Sequence, residues 1–411
     1  MTKQERQGWI IVASLLVTLL LVFGGGLSTF PVFFTPLLED FGWSRARIST
    51  LPSALALAAG IATPLVGWLL DRVEARIMIA LGAALAGLAC IGASQATSYV
   101  PMLACYGLLG LGVAASTLLP CSLVVANWFS TNRGFAMGVT FAGTSIGGML
   151  MTLVVNYAIG LGGWRAGYLA LAAPMFVIVI PLAIILVRTR PANQGQLSVL
   201  QQADLFPGLE LRQAMRTRSF WMISVVQFGF AFSVSGIAAH LVTYLIGLDY
   251  AASAAALAWS LVLFVTSIGK LAMGLMADRM RPRVVLAVNF AGCAVGTALL
   301  LGAVQVPMLL GFVLLFGFML GGPLVLVPIV MVESLGLKRF GTLAGATGVF
   351  NTLGGALGPV GAGHLFDVTG GYTTAFEVFI AVLLVVSVAA RLCLPLEAEQ
   401  SRLERALASA S

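Results

Sequence analysis

Runs of roughly twenty mostly apolar residues, nearly all of them uncharged, recur twelve times along this 411-residue chain, and that is the length an α-helix needs to cross a hydrocarbon core of about 30 Å. The composition agrees: 60% of the residues are hydrophobic and 9% charged, against about 45–50% and about 25% in soluble domains. So few charges cannot cover a water-facing surface. Soluble enzyme, disordered, collagen-like and coiled-coil readings fall together, and an all-α integral membrane protein remains. The net charge of +7 is not gathered into a basic run interleaved with aromatics, so nucleic acid is not an expected partner. Cys90, Cys105, Cys121, Cys293 and Cys393 all lie inside apolar stretches, which implies neither a disulfide framework nor a metal site. Lys3 and Arg6 precede a first run from Trp9 to about Pro36 that ends without an A-x-A-like site, and we read it as a retained helix.

Cutting at charges and at Gly, Pro and Asn clusters predicts spans near 9–36, 48–70, 77–95, 100–126, 134–160, 166–187, 219–247, 252–277, 284–303, 307–332, 341–364 and 373–394. The longest polar stretch, Arg188 to Arg218, carries Pro191, Pro207 and an amphipathic piece Leu209–Met215, and divides the chain six plus six. The expected domains are therefore an N-terminal six-helix bundle (1–187), a central cytoplasmic loop (188–218), a C-terminal six-helix bundle (219–396) and a cytoplasmic tail (397–411). Lysines and arginines collect in cytoplasmic loops. With the N-terminus in the cytoplasm, eighteen of the 22 fall on that side, Arg45, Arg47 and Arg165 fall outside, and Lys270 lies within a span. Both termini are then cytoplasmic, and the basic balance needs no polyanionic ligand.

The segment from Gly67 through Asp71 and Arg72 to Arg76 recurs 207 residues later, from Gly274 through Asp278 and Arg279 to Arg283, after the second span of each half. Leu119-Pro120 recurs as Val327-Pro328 at an offset of 208. Parallel repeats of six spans predict two bundles related by an axis along the membrane normal, with a ligand site between them near the midplane. G-x-x-x-D-R followed by basic residues, in the second-to-third and eighth-to-ninth loops, resembles the signature of the major facilitator superfamily, and the likeness covers nearly the whole chain. Three further segments are similar to the monocarboxylate and oxalate/formate porter branch: Pro31 to Arg45 with Glu39, Asp40 and Trp43; Asn127-Trp128-Phe129 with Arg133-Gly134; and Gly162-Gly163-Trp164-Arg165. They speak to scaffold and gate more than to substrate.

A cation in hydrocarbon costs at least about 2.5–3.5 kcal/mol, which makes Lys270 a functional-site candidate. It precedes Asp278 by eight residues, about 12 Å of depth at 1.5 Å per residue. The bland alternative is a lysine snorkelling to the surface. The resemblance implies that a cation on the eighth helix pairs with the substrate carboxylate, and Lys270 falls at that position. Lysine replaces the commoner arginine, a point charge for a bidentate fork. The stretch Gly341 to Gly363 lacks the second cation of the oxalate/formate exchangers, so one cavity cation favours a monoanion.

His240, nine residues before Asp249, lies at similar depth and is a candidate donor to a carboxylate or proton carrier. Packing against a neighbouring helix is the alternative, and Thr243 stands where the family commonly has proline. Asn351 and Thr347, Ser116 and Thr117, Thr144 and Gln227 are mid-depth hydrogen-bonding candidates, equally readable as interhelical glue. Phe30, Phe33 and Phe34 are candidate apolar wall and outer gate. Asp71, Arg72, Arg76, Asp278, Arg279 and Arg283 are expected to gate, pairing across the bundles in one state and separating in the other; Glu74 stands where the family usually has glycine. Gly24 to Gly26, Gly147-Gly148 and Gly354-Gly355 permit close helix approach.

No Asp or Glu lies at mid-depth, and Thr266 occupies the place of the eighth-helix acid of animal monocarboxylate porters. Proton symport through His240, Lys270 or the carboxylate itself, and anion exchange, both stay open. The expectation is a secondary transporter moving a small organic monocarboxylate by alternating access, a monomer in the plasma membrane with no cofactor or metal. A transporter-like sensor and an exporter of another amphipathic solute are the alternatives. An enzyme has least support, because no nucleophile, base and third group share a depth.

Overall fold

The computed structural model describes residues 3–190 and 207–408, and within them the chain is helical without strands. Pro191 and most of the expected central loop, 191–206, lie outside the described residues. The first span is α1 (Lys3–Thr18), a π-helical segment Leu19–Gly24, α2 (Gly25–Ser28) and α3 (Phe30–Phe41). There follow α4 (Arg45–Leu70), α5 (Ala75–Gln95), α6 (Tyr99–Ser116), α7 (Leu118–Trp128), α8 (Arg133–Pro174), a second π segment Met175–Val179 and α9 (Ile180–Ile185). After the short α10 (Leu211–Ala214) come α11 (Arg218–Ile246), α12 (Ala252–Arg279), α13 (Pro282–Leu301), α14 (Val306–Leu320), α15 (Gly322–Leu335), α16 (Phe340–Thr369), α17 (Thr373–Arg391) and α18 (Leu396–Ala408).

Ten described helical runs are long and apolar enough to cross a membrane, and two local features reconcile that number with twelve spans. The expected fifth and sixth spans form one run, Arg133–Ile185, broken where Gly162 and Gly163 leave helical geometry, Gly163 with φ 71°. Only glycine adopts that conformation without strain. The eleventh span, α16, has 30 residues but is so rich in glycine that its mean hydropathy is modest. The fourth span breaks at Thr117 (φ −114°, ψ −109°) between α6 and α7.

Two compact units emerge, Met1–Ser130 with Val139–Leu205, and Thr131–Gly138 with Phe206–Ser411. Each is built on crossings where a glycine lets two backbones touch, as membrane bundles require in the absence of a hydrophobic drive between helices. In the first unit Gly147 abuts the Leu20 carbonyl and Gly110 the Leu55 carbonyl. In the second, Gly354 abuts the Phe228 carbonyl and Gly317 the Val262 carbonyl. These are the same two crossings displaced by 207 or 208 positions in sequence. A third has diverged: Gly82 meets the Gly112 carbonyl, whereas the buried Asn289 amide donates to the Met319 carbonyl at 2.7 Å.

The residues after Cys393 do more than trail. In α18 the Glu399 carboxylate, 1% exposed, accepts from the Ser219 N–H at 2.9 Å and the Ser219 hydroxyl at 2.6 Å. Ser219 stands in the first turn of α11, where N–H groups lack intrahelical partners and a negative charge is favoured.

Two outcomes are expected in thermal unfolding of the purified protein. Gly354→Ala should destabilise by about 1–3 kcal/mol through overpacking, while Gly355→Ala, whose added methyl meets nothing within 4 Å, should leave the transition near that of the parent. Glu399→Ala should lower stability by about 1–3 kcal/mol, because it strands buried donors of Ser219.

Candidate functional site

Lys270 lies nine residues before the end of α12, and the whole residue is 5% exposed. The backbone around it is gripped. Gly269 packs on the Phe318 carbonyl, Gly321 on the Lys270 N–H, and Gly138 on the Lys270 carbonyl. One turn earlier the Thr266 hydroxyl is shared between the Val262 carbonyl at 2.7 Å and the Gly317 carbonyl at 3.0 Å, tying α12 to α14. A cation set on so fixed a stretch of helix can adjust only through its own side-chain torsions.

His240 on α11 is engaged at both ring nitrogens, Nδ1 at 3.1 Å from the Tyr372 hydroxyl and Nε2 at 3.0 Å from the Pro359 carbonyl. The Pro359 carbonyl can only accept, so Nε2–H donates to it, and in the neutral ring Nδ1 accepts from the Tyr372 hydroxyl; burial, and then the nearby Asp367, raise the Tyr372 phenol above its ordinary range. His240 thereby joins α11, α16 and the residue preceding α17.

Gln227, Thr347 and Asn351 form a small polar cluster between α11 and α16. The Gln227 side-chain amide donates to the Thr347 hydroxyl at 3.4 Å, and the Asn351 amide donates to the Gln227 backbone carbonyl at 3.4 Å. Thr347 is fully buried and donates in turn to the Leu343 carbonyl at 3.1 Å. The register follows from the crossing beside it, since Phe228 and Gly354 flank the pair.

In the first unit the hydroxyls of Ser116, Thr117 and Thr144 bond carbonyls of their own helices, Gly112, Val113 and Phe141, at 2.7, 2.7 and 2.8 Å. Phe33, 1% exposed, stacks on Tyr168 with ring centroids 4.1 Å apart, and Phe30 meets Phe34 and Tyr106 edge-on. Tyr106 and Tyr168 share a buried hydroxyl–hydroxyl bond of 2.8 Å. Sequence reasoning passed over this pair, because a tyrosine within a span carries neither charge nor motif.

The gate candidates have local partners. Asp278 accepts from the Gly134 and Phe135 N–H groups at 2.7 and 2.8 Å; a carboxylate on the open N–H groups of a helix start satisfies them and opposes the helix dipole. Arg72 donates to the Trp68 carbonyl at 3.0 Å and lies over its ring. Arg76 pairs with Glu74 at 2.5 Å, which gives that unusual residue a role within its own loop. Burial holds Arg190 below the usual arginine range, partly offset by the Asp71 carboxylate. Arg283 donates to the Cys393 carbonyl at 3.1 Å, and Arg279 is exposed. At the other end of the first unit, Asp40 accepts from Trp164 at 2.8 Å and Arg165 at 3.2 Å, bringing together two of the porter-like segments around a shallow pocket with Pro36 and Glu39.

Comparison with known proteins accounts for this architecture. The family model described as Major Facilitator Superfamily matches residues 15–359 and 247–410. The "Uncharacterized MFS-type transporter YcxA" of Bacillus subtilis is 26% identical over 400 residues, covering 90% of this chain and 91% of its own. Monocarboxylate transporter 13 of Bos taurus is 26% identical over 381 residues, covering 92% and 87%. Among solved structures, the human organic anion transporter MFSD10 (TETRAN) superposes with a TM-score of 0.73 at 16% identity, over 95% of this chain and 100% of that one, a likeness of fold. On the family match, the repeated loop signature and the paired crossings together, the chain belongs to the Major Facilitator Superfamily.

Proposed function

We propose that this transporter moves a small organic monocarboxylate across the membrane by alternating access, with Lys270 neutralising the anion. The observation that carries the reading is a lysine 5% exposed at mid-depth of α12. A buried charge at that depth is costly and is retained where it meets a ligand or coupling ion. An ammonium attracts a single carboxylate without demanding planar, bidentate geometry, and no lysine or arginine stands in α16 to hold a dianion. The name of the bovine relative, a monocarboxylate transporter, supports the same substrate class. On this reading the basic loops and both termini face the cytoplasm, and the protein works as a monomer in the plasma membrane.

On this reading coupling does not pass through His240. With Nδ1 and Nε2 both engaged by Tyr372 and Pro359, its part is to hold the outer ends of α11 and α16 in register. Anion exchange, or symport in which the proton travels on the carboxylate or Lys270, then needs no further carrier. Asp278, seated on the start of α8, and the arginines beside it serve the gate.

Uptake by reconstituted vesicles tests both assignments. Lys270→Ala, present in the membrane at the parent's level, should lower affinity for the transported carboxylate roughly a hundredfold, the equivalent of an uncompensated charge in hydrocarbon; Lys270→Arg should retain part of it. Wild-type uptake by Lys270→Ala would refute the single-cation mechanism. His240→Gln should keep the parent's pH profile of uptake while melting at lower temperature, and a displaced profile would instead make His240 the proton carrier.

A further inference from the structure

The amides of Gln227 and Asn351 are incompletely used. Each points its NH2 group at the protein, toward the Thr347 hydroxyl and the Gln227 backbone carbonyl, through bonds of 3.4 Å, longer than the roughly 2.9–3.0 Å of a well-formed bond. Among the described residues neither side-chain oxygen, Gln227 Oε1 or Asn351 Oδ1, has a partner. Neither is sealed from solvent either, for both residues are half-buried and neither oxygen is among the enclosed unsatisfied atoms.

Depth makes this informative. Gln227 lies nine residues into α11 from Arg218, Asn351 eleven into α16 from Phe340, and Lys270 nine before Arg279, the end of α12. At 1.5 Å per residue all three stand about 13–17 Å from the basic ends of their helices. An amide oxygen facing hydrocarbon at that depth, with no donor, is strongly disfavoured; polar side chains there face protein or a water-filled cavity. The second unit therefore presents, in one layer, a cation and two amides, each with its oxygen unclaimed and one of its two N–H donors committed to protein.

We infer that Gln227 and Asn351 read a hydroxyl group, so that the transporter selects monocarboxylates bearing a hydroxyl over unsubstituted and keto acids of the same length. The inference rests on the carboxylate reading of Lys270. An amide oxygen accepts from an O–H but gains nothing from a keto oxygen, which is itself an acceptor; the N–H left on each amide can donate to either group, so only a hydroxyl pairs with both the oxygen and the N–H. A site built to hydrogen-bond a substrate hydroxyl discriminates against the analogue lacking it, because its own polar groups are then left unpaired.

The test is ligand-induced thermal stabilisation of the purified transporter by propanoate, 2-hydroxypropanoate and 2-oxopropanoate, and by hexanoate and gluconate as a longer pair. It would be run on the parent, Gln227→Met, Asn351→Leu and Lys270→Ala, with each variant's unliganded transition recorded as a check of folding. In the parent, a hydroxy acid in at least one set should bind about tenfold more tightly than its same-length partners, the scale of one net hydrogen bond. That preference should shrink to about twofold or less in Gln227→Met or Asn351→Leu, which alter different helices. No preference in the parent, or an undiminished one in both variants, overturns the inference and leaves the carboxylate reading standing. Binding of none of the acids, or equal binding by Lys270→Ala, overturns the carboxylate reading and this inference with it.

Discussion

Glycine-to-carbonyl contact between helices is the constraint on which each bundle depends. In lipid, two apolar helices gain little from leaving the hydrocarbon for one another, so cohesion comes from close packing and from the few polar bonds that can form. Gly147 on Leu20 and Gly354 on Phe228 bring backbones together with no side chain between, and the neighbouring residues inherit their register from those points. The repeat of the same crossings at an offset of about 207 shows that the two halves keep a common packing plan where their side chains have diverged. Asn289 illustrates the divergence, since it replaces the small residue Gly82 by an amide that bonds the opposing carbonyl instead.

Polar groups in the spans are settled locally. Most serine and threonine hydroxyls return to a carbonyl three or four residues back, as Ser116, Thr117, Thr144 and Thr347 do, which satisfies the donor without a partner helix. The exceptions therefore carry the meaning. Thr266 spends part of its bond on α14 and steadies the turn that bears Lys270. His240 spends both nitrogens on joining helices. Gln227 and Asn351 keep acceptors in reserve.

Much of this was legible beforehand because it follows from depth and periodicity. The apolar spans and the place of Lys270 within one of them are consequences of where charges are tolerated in a bilayer, which is a property of residue types. Gly147, Gly148 and Gly354 were also readable as places of close approach, though not their partners, whereas Gly355 beside them meets nothing within 4 Å. The helix α18 was not legible. Its thirteen residues are too polar to count as a span and were read as a tail, and what orders them is Glu399 meeting Ser219, 180 positions away. The bond between Tyr106 and Tyr168 was hidden for the same reason, its partners being 62 positions apart.

The chain alone thus determined the solvent it folds in, the approximate extent of its apolar spans, its internal duplication and the one lysine carried at mid-depth, because each depends on the free energy of single residues or short segments in hydrocarbon. Tertiary structure decided which of the mid-depth polar groups are spent and which remain open. Whether His240 is occupied, Asp278 seats a helix start, or the oxygens of Gln227 and Asn351 stay unclaimed depends on partners brought in from other helices, and one-dimensional spacing does not encode the rotation of one helix about its axis relative to the next.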